Sequence, residues 1–371
     1  MCHVLDNMSH LWYFYICNIQ HAIKKRTPFL FAGLQQRDGE IALRKGKSTM
    51  STQQIAPTYK EQRDMKKKLK YIRRNYDLYL LLIPALVLVV IFHLFPMWGL
   101  QMGFRNYKLT AGGNGPWNAI SASNWVGLDN LMDVIKKKDF IRALTNTLEI
   151  SVLKIVILFP LPVLFAVFLN ECHSNKFQKG LQLVVYMPHF LSWTVAAALF
   201  ITLLNSIGPV NQAIKALGGQ PVRFMMDNKY FRGVLIFTDA WKELGWGSIV
   251  YFAAIAGLDQ ECYEAAVVDG ANRFQKIWYI TVPGLLPTVI MMLIMRVGGI
   301  MEAGFGQIFA MYNSLVYDSA DIIGTFVYRT SLGRLDFSTG TVIGVFNSLI
   351  GMILTMTANF ASKKATGRSI W

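Results

Sequence analysis

Residues 258–287, LDQECYEAAVVDGANRFQKIWYITVPGLLP, decide how the rest of the chain is read. They connect two long apolar segments, yet they are too long for a tight turn and too polar to lie in lipid. The pattern predicts two short helices broken at Gly270. Asp259 is placed to N-cap the first, and Glu261 and Glu264 put acids in its early turns, where unsatisfied N–H groups favour negative charge. Ala265, Ala266, Val267 and Val268 continue it. Gly270 suits the residue just past a helix end, where positive φ is wanted. The second helix carries Phe274, Ile277, Trp278 and Thr281 at i, i+3, i+4 and i+7, a mostly apolar stripe. Pro283 and Pro287 suit the first turn of the next apolar segment.

Working outward, apolar segments fill most of the chain. It has 371 residues, 53% of them hydrophobic, and a net charge of +15. The mean hydropathy of +0.34 is ordinary for a polytopic membrane protein and high for a soluble one. A soluble domain this basic would suggest nucleic acid. Here the basic residues sit mainly beside apolar segments, so a membrane is the expected partner and nucleic acid is not. Spans are expected at about 79–101, 145–169, 182–205, 233–257, 283–303 and 340–361, each near the roughly 20 residues a bilayer needs. The fold class is therefore all-α integral membrane, with six transmembrane helices and a two-helix loop between the fourth and fifth.

Charge sets the orientation. Residues 60–74, KEQRDMKKKLKYIRR, hold the start of the first span in the cytoplasm. Six spans then return the C-terminus to the same side, where the tail SKKATGRSIW is basic. The connection at 170–180 and the 258–281 stretch also fall inside. The loops at 102–142, 206–232 and 304–338 fall outside. Lys136, Lys137 and Lys138 are an exception to the charge rule, with Asp129, Asp133 and Asp139 nearby. The domain division is a cytoplasmic segment 1–74, a membrane domain 75–365 and a tail 366–371. Residues 1–49 do not fit the rest, and Met50 opens a basic lead suited to a natural start. Gly46-Lys47-Ser48-Thr49 resembles the end of a phosphate loop. Ile41 stands where its first glycine is required, so no nucleotide site is expected in this chain.

Charges within spans normally face protein or water. Lys154 lies in the second expected span. Asp239, Lys242 and Glu243 lie in the fourth, where Asp239 can pair with Lys242 and meet Glu243. Arg296 is in the fifth, with Glu302 near its outer end, and Asn347 is in the sixth. Two readings stay open, a hydrated translocation path or bonds that lock helices together. Sugar sites join stacking aromatics to charged or amide hydrogen-bonders, and Trp241 and Trp246 flank Lys242 and Glu243. Trp193 reads as an interfacial anchor. The candidate path residues are Lys154, Asp239, Trp241, Lys242, Glu243, Arg296 and Asn347. Cys2, Cys17, Cys172 and Cys262 form no CxxC pair, and the six histidines form no metal-ligand spacing. No HExxH, GxSxG or paired carboxylate suggests catalysis. Neither cofactor nor metal is expected.

The stretch EAAVVDGANRFQKIWYITVPGLLP resembles the EAA loop of ABC-importer permeases. Glu264, Ala265, Ala266, Asp269, Gly270, Ala271, Ile280, Pro283 and Pro287 stand at that family's spacing. YMPHFLSW, DAWKELGWG and YNSLVYD resemble its carbohydrate branch, of the LplB-type polysaccharide permeases. The resemblance covers about residues 70–365. It implies a non-enzymatic subunit of the bacterial cell membrane that forms a sugar path with a second, similar permease. A separate pair of cytoplasmic ATPases would bind ATP, and an extracytoplasmic binding protein would deliver the sugar. It also implies that Glu264, Ala265, Ala266, Asp269, Gly270, Phe274, Ile277 and Trp278 couple the spans to the ATPase. Glu264 and Asp269 would make polar contacts there. Phe274, Ile277 and Trp278 would fill the ATPase groove or pack against the membrane domain. The alternative is a six-span channel or ion-coupled transporter with no ATPase. It leaves a loop broken at Gly270 unexplained.

Overall fold

The computed structural model describes residues 73–367, apart from 111, 112 and 114. The expectations for residues 1–49, the phosphate-loop-like Gly46–Thr49, most of the basic lead and the last residues of the tail lie outside these. The described residues are mainly helical, with one isolated bridge, Arg105 to Trp125, and no strand among them. The chain divides into two units, ending and beginning at Trp98 and Gly99. The described part of the first holds α1 (Tyr76–Val89), followed by a π turn at Val90–Leu94. Its side chains are almost all exposed.

The second unit contains the other principal helices. These are α2 (Lys138–Leu153), α3 (Pro160–Asn170), α4 (Asn175–Tyr186), α5 (Trp193–Leu204) and α6 (Asn228–Ala256). They continue with α7 (Gln260–Val268), α8 (Arg273–Lys276), α9 (Val282–Gly298), α10 (Phe305–Met311), α11 (Ile323–Val327) and α12 (Phe337–Thr366).

Among the described residues, five helical runs are long and apolar enough to cross a membrane: Tyr79–Phe104, Lys138–Asn170, Trp193–Ala216, Arg273–Gly298 and Phe337–Lys364. The fourth expected span, 233–257, is a single helix, α6, with 29 residues. At 1.5 Å per residue it is about 43 Å long, enough to cross. Its composition sets it apart. Phe231, Leu235, Thr238, Asp239, Lys242, Gly245, Ser248, Tyr251 and Ile255 form its buried stripe, so its polar residues point inward. Phe237 and Val250 point outward. This inversion is what a helix surrounded by other helices in lipid requires, because polar groups there must find protein partners.

Small residues let α6 approach its neighbours. A Cβ at Gly245 would collide with the carbonyl of Val185 in α4, and one at Gly247 would lie 3.1 Å from the Pro162 ring in α3. Elsewhere Gly298 of α9 meets Thr355 of α12, where a Cβ would come within 2.6 Å of the hydroxyl. Close approach at small residues is how membrane helices gain contact without a hydrophobic drive between them.

One expected span is broken, and another carries a π turn within it. The third span, expected as continuous over 182–205, is interrupted. Pro188 lies in a short 3-10 turn, Met187–Phe190, and the chain is extended at Leu191 and Ser192. The Ser192 hydroxyl then caps α5 by accepting from the Val195 N–H. A proline that cannot donate and a serine that satisfies a new helix start make this break favourable. In the second span, a π turn at Lys154–Leu158 precedes Pro160 and absorbs the hydrogen bond the proline cannot make. The loop at 102–142 is ordered by short helices and by Asn130, which donates to the carbonyls of Gly103 and Arg105 at 2.8 and 3.0 Å.

Candidate functional site: a charged cavity and an exposed knuckle

A cavity of about 600 Å³ opens between α2, α3, α6 and α9. Four of the expected path residues line it: Lys154, Asp239, Glu243 and Arg296. Trp193, Trp246 and Glu302 line it as well.

The expected pairing of Asp239 with Lys242 along one helix does not form. Asp239 instead bridges to Lys154 of the second span, Oδ2 to Nζ 3.0 Å, with both side chains more than nine-tenths buried. The Lys154 ammonium also donates to the Gln307 Oε1 at 2.6 Å. Gln307 donates in turn to the Leu235 carbonyl and the Thr238 hydroxyl, each at 2.7 Å. Helix spacing allowed an intrahelical pair, but the burial of Lys154 beside α6 demanded a full counter-charge. Gln307 is fully buried. A single glutamine in a Gly-rich segment gave no signal in the sequence.

Lys242 turns the other way. Its ammonium donates to the His189 carbonyl at 2.8 Å and to Glu243 at 3.2 Å, and sits 5.2 Å from the Trp193 ring centroid. Glu243 also contacts the His189 Nδ1 at 2.9 Å. The Trp246 ring stacks on His189, with centroids 4.3 Å apart and planes 2° from parallel. The interruption at Pro188 is what presents the His189 carbonyl to Lys242. Trp193, read as an anchor, is a wall of the cavity. Trp241 lies apart, part-buried in an apolar cluster and edge-on to Phe200 at 5.1 Å. Asn347 lies on α12 outside the lining, and its buried Oδ1 has no hydrogen-bond partner.

The 258–287 stretch folds as two helical pieces. Asp259 caps α7 by accepting from the Glu261 N–H at 3.0 Å. The end of α7 is a two-bond Schellman motif. The Gly270 N–H reaches the Val267 carbonyl, the Ala271 N–H reaches the Ala266 carbonyl at 2.8 Å, and Gly270 has φ +77°. Asn272 and Gln275 then form a reciprocal capping box that starts α8. The second piece is not a separate helix, because a π turn at Ile277–Thr281 joins α8 to α9 and the run is continuous from Arg273 to Gly298. Pro283 lies in the first turn of α9 and Pro287 inside it.

This knuckle is closed on itself and open to solvent. The Tyr263 hydroxyl lies 2.8 Å from that of Thr281, and a Cβ at Gly284 would meet Leu258 at 2.6 Å. Arg273 donates to the His173 Nε2 at 2.9 Å, so the 170–180 connection and the knuckle meet at one end of the bundle. Glu264, Ala265, Asp269 and Gly270 are exposed and Ala266 is half-buried. Val268, Phe274 and Trp278 are 87%, 75% and 66% exposed, and Ile277 is half-buried. A lone soluble surface rarely leaves so many large apolar side chains together.

No family model matches the chain. Protein LplB of Bacillus subtilis is 39% identical over 294 residues, covering 79% of this chain and 90% of that protein. The polygalacturonan/rhamnogalacturonan transport permease YteP of the same organism is 35% identical over 310 residues, covering 83% and 94%. The chain belongs to the permease family of ABC sugar importers. A crystal structure of a bacterial ABC transporter that imports the acidic polysaccharide alginate aligns with a TM-score of 0.74 and 36% identity, over 81% of this chain and 99% of that one. Other relatives are arabinooligosaccharide permeases of Bacillus subtilis and Halalkalibacterium halodurans. As an ABC sugar-importer permease the chain is a membrane protein and a transport subunit. These relatives do not favour the channel or ion-coupled readings.

Proposed function

We propose that this permease forms one half of an oligosaccharide path and takes its movement from a separate ATPase through residues 258–281. The carrying observation is the solvent-open knuckle, a capped helix turned at Gly270 and rigidly continued into a membrane helix. Force applied to Phe274 or Trp278 passes along α8 and α9 without an intervening loop, and force on Glu264 or Asp269 reaches them through the hydrogen-bonded turn at Gly270. Arg296, on α9, borders the cavity. The cavity therefore changes shape when the knuckle moves.

In this reading α6 is the fourth of six spans, shielded from lipid on its polar face by α3, α4 and α9. The termini and the knuckle are cytoplasmic, and the membrane is the bacterial plasma membrane. A second, homologous permease completes the path, and an extracytoplasmic binding protein docks on the loops at 102–142, 206–232 and 304–338. The alginate importer was crystallised with a pentasaccharide-bound periplasmic protein, which supports such a partner. Lys154, Asp239, Glu243, Arg296, Trp193 and Trp246 line the path. Trp241, Lys242 and Asn347 support it from outside the cavity wall. The sugar is an oligosaccharide released from a plant or microbial polysaccharide, since relatives carry such substrates.

The test is affinity purification of the full-length chain from native membranes. An ABC ATPase and a second permease are expected to co-purify. Purified protein that lacks an ATPase and supports flux driven by an ion gradient would reject the proposal.

A further inference from the structure

A strip of aromatic rings follows cavity-lining Gly304 along residues 304–329, within the loop proposed for binding-protein docking, and its rings lie outside the cavity lining. Gly304 is part of the cavity wall, against the Lys154 ammonium. Phe305 follows it directly. Phe305, Phe309 and Tyr312 occupy i, i+4 and i+7, one face of α10 and its end, while Gln307, Ile308 and Met311 bury the opposite face. Phe305 and Phe309 stack with centroids 5.3 Å apart and planes 26° from parallel, and Tyr312 follows at 6.1 Å and 35°. Tyr328 closes on Phe309 at 4.6 Å. Tyr317 stacks on Tyr312 at 5.4 Å, and the Arg329 guanidinium covers Tyr317 at 4.7 Å. Arg329 is itself fixed by a two-pronged pair with Asp321, 3.1 and 2.7 Å.

These rings are not core. Phe305, Phe309 and Tyr328 remain 37%, 38% and 43% exposed. The strip leaves half-exposed aromatic surface on Phe305, Phe309 and Tyr328, with the phenols of Tyr312, Tyr317 and Tyr328 in the same cluster. Burial, then the neighbouring Tyr317, pushes the Tyr312 phenol up from its ordinary value. Flat apolar faces edged by hydroxyl donors match the C–H faces and hydroxyl rims of sugar rings. From Phe305 to Tyr312 the strip runs about 10 Å along the helix, longer than one sugar ring.

We propose that Phe305, Phe309 and Tyr328, extended by Tyr312 and Tyr317, are a second carbohydrate-binding surface on which successive units of a linear oligosaccharide stack on their way into the cavity. The occupant is the substrate, handed over by the binding protein docked on this loop, and not the second permease, because the strip begins at Phe305, the residue next to cavity-lining Gly304. The inference rests on the proposed transport of oligosaccharides. It adds that chain length is read outside the cavity.

The test uses the native host with its complete importer and galacturonan and arabinan oligosaccharides, each as disaccharide and hexasaccharide. A strain lacking this chain is compared first. If no saccharide depends on the chain, the transport reading for these sugars fails and the strip falls with it. For a dependent sugar, Phe309→Leu keeps the apolar volume and removes the flat face, and Phe309→Trp restores a face. The leucine variant is expected to lower hexasaccharide uptake about tenfold, the change given by about 1.4 kcal/mol of lost contact. Disaccharide uptake and co-purification of the second permease should be unchanged, and Phe309→Trp should recover the long substrate. Wild-type uptake by Phe309→Leu, an equal loss for both lengths, or loss of the second permease would each overturn the strip while leaving the transport reading intact.

Discussion

Gly270 carries a structural demand that no other residue type meets without strain. Its φ of +77° is left-handed, and a Cβ there would meet open space. The cost of a side chain is therefore conformational, about 1–2 kcal/mol for most L-residues, and less for asparagine. Gly270→Asp is expected to leave the protein inserted at normal abundance while uptake becomes uncoupled from ATP hydrolysis, and Gly270→Asn should retain more transport. Uptake alongside ATPase activity in vesicles measures both. Normal uptake by the aspartate variant would count against the coupling role. The Lys154–Asp239 pair makes a second residue-level demand. Lys154→Met leaves an uncompensated buried carboxylate and should cost about 3–5 kcal/mol, whereas Lys154→Met with Asp239→Leu should recover most of the loss. Thermal unfolding of the solubilised protein, single against double variant, reads the difference.

At the scale of elements, glycine contacts set how closely the helices pack. Gly298 of α9 and Thr355 of α12 touch where a larger residue has no room. Gly298→Leu should separate the two helices and lower the melting temperature, while Gly344→Leu, on α12 with open space around it, should leave it nearly unchanged. A similar melting loss at both positions would show that packing at Gly298 is not special. The break before α5 depends on a weaker contact. Ser192→Ala removes the cap on α5 and should cost about 1 kcal/mol by the same measurement.

For the whole molecule, thiol chemistry reads the orientation in the membrane. Cys262 is exposed in the knuckle. With the other three cysteines replaced by serine, a membrane-impermeant thiol reagent should label Cys262 in inside-out vesicles and not in intact cells. Labelling from outside the cell would place the knuckle on the wrong side for an ATPase. The sequence carried the first helix of the knuckle and its turn at Gly270, since caps and a positive-φ glycine are local and follow from residue types a few positions apart, but not the fusion of the second piece to the membrane helix. It carried five of the long apolar helices for the same reason. The break near Pro188 was missed because hydropathy over 182–205 averages across a single extended residue pair.

The sequence alone determined that the chain is a helical membrane protein, where its apolar runs lie, and that a capped, glycine-turned loop stands between two of them. Those properties come from short-range chemistry, transfer of side chains into lipid and hydrogen bonds within a few residues. Only the tertiary structure decided that Asp239 takes Lys154 as its partner and not Lys242, that Trp193 walls a cavity, and that Gln307 completes the buried network. Each depends on which helices lie side by side, and a buried charge chooses its counter-charge by that proximity whatever the order of the chain.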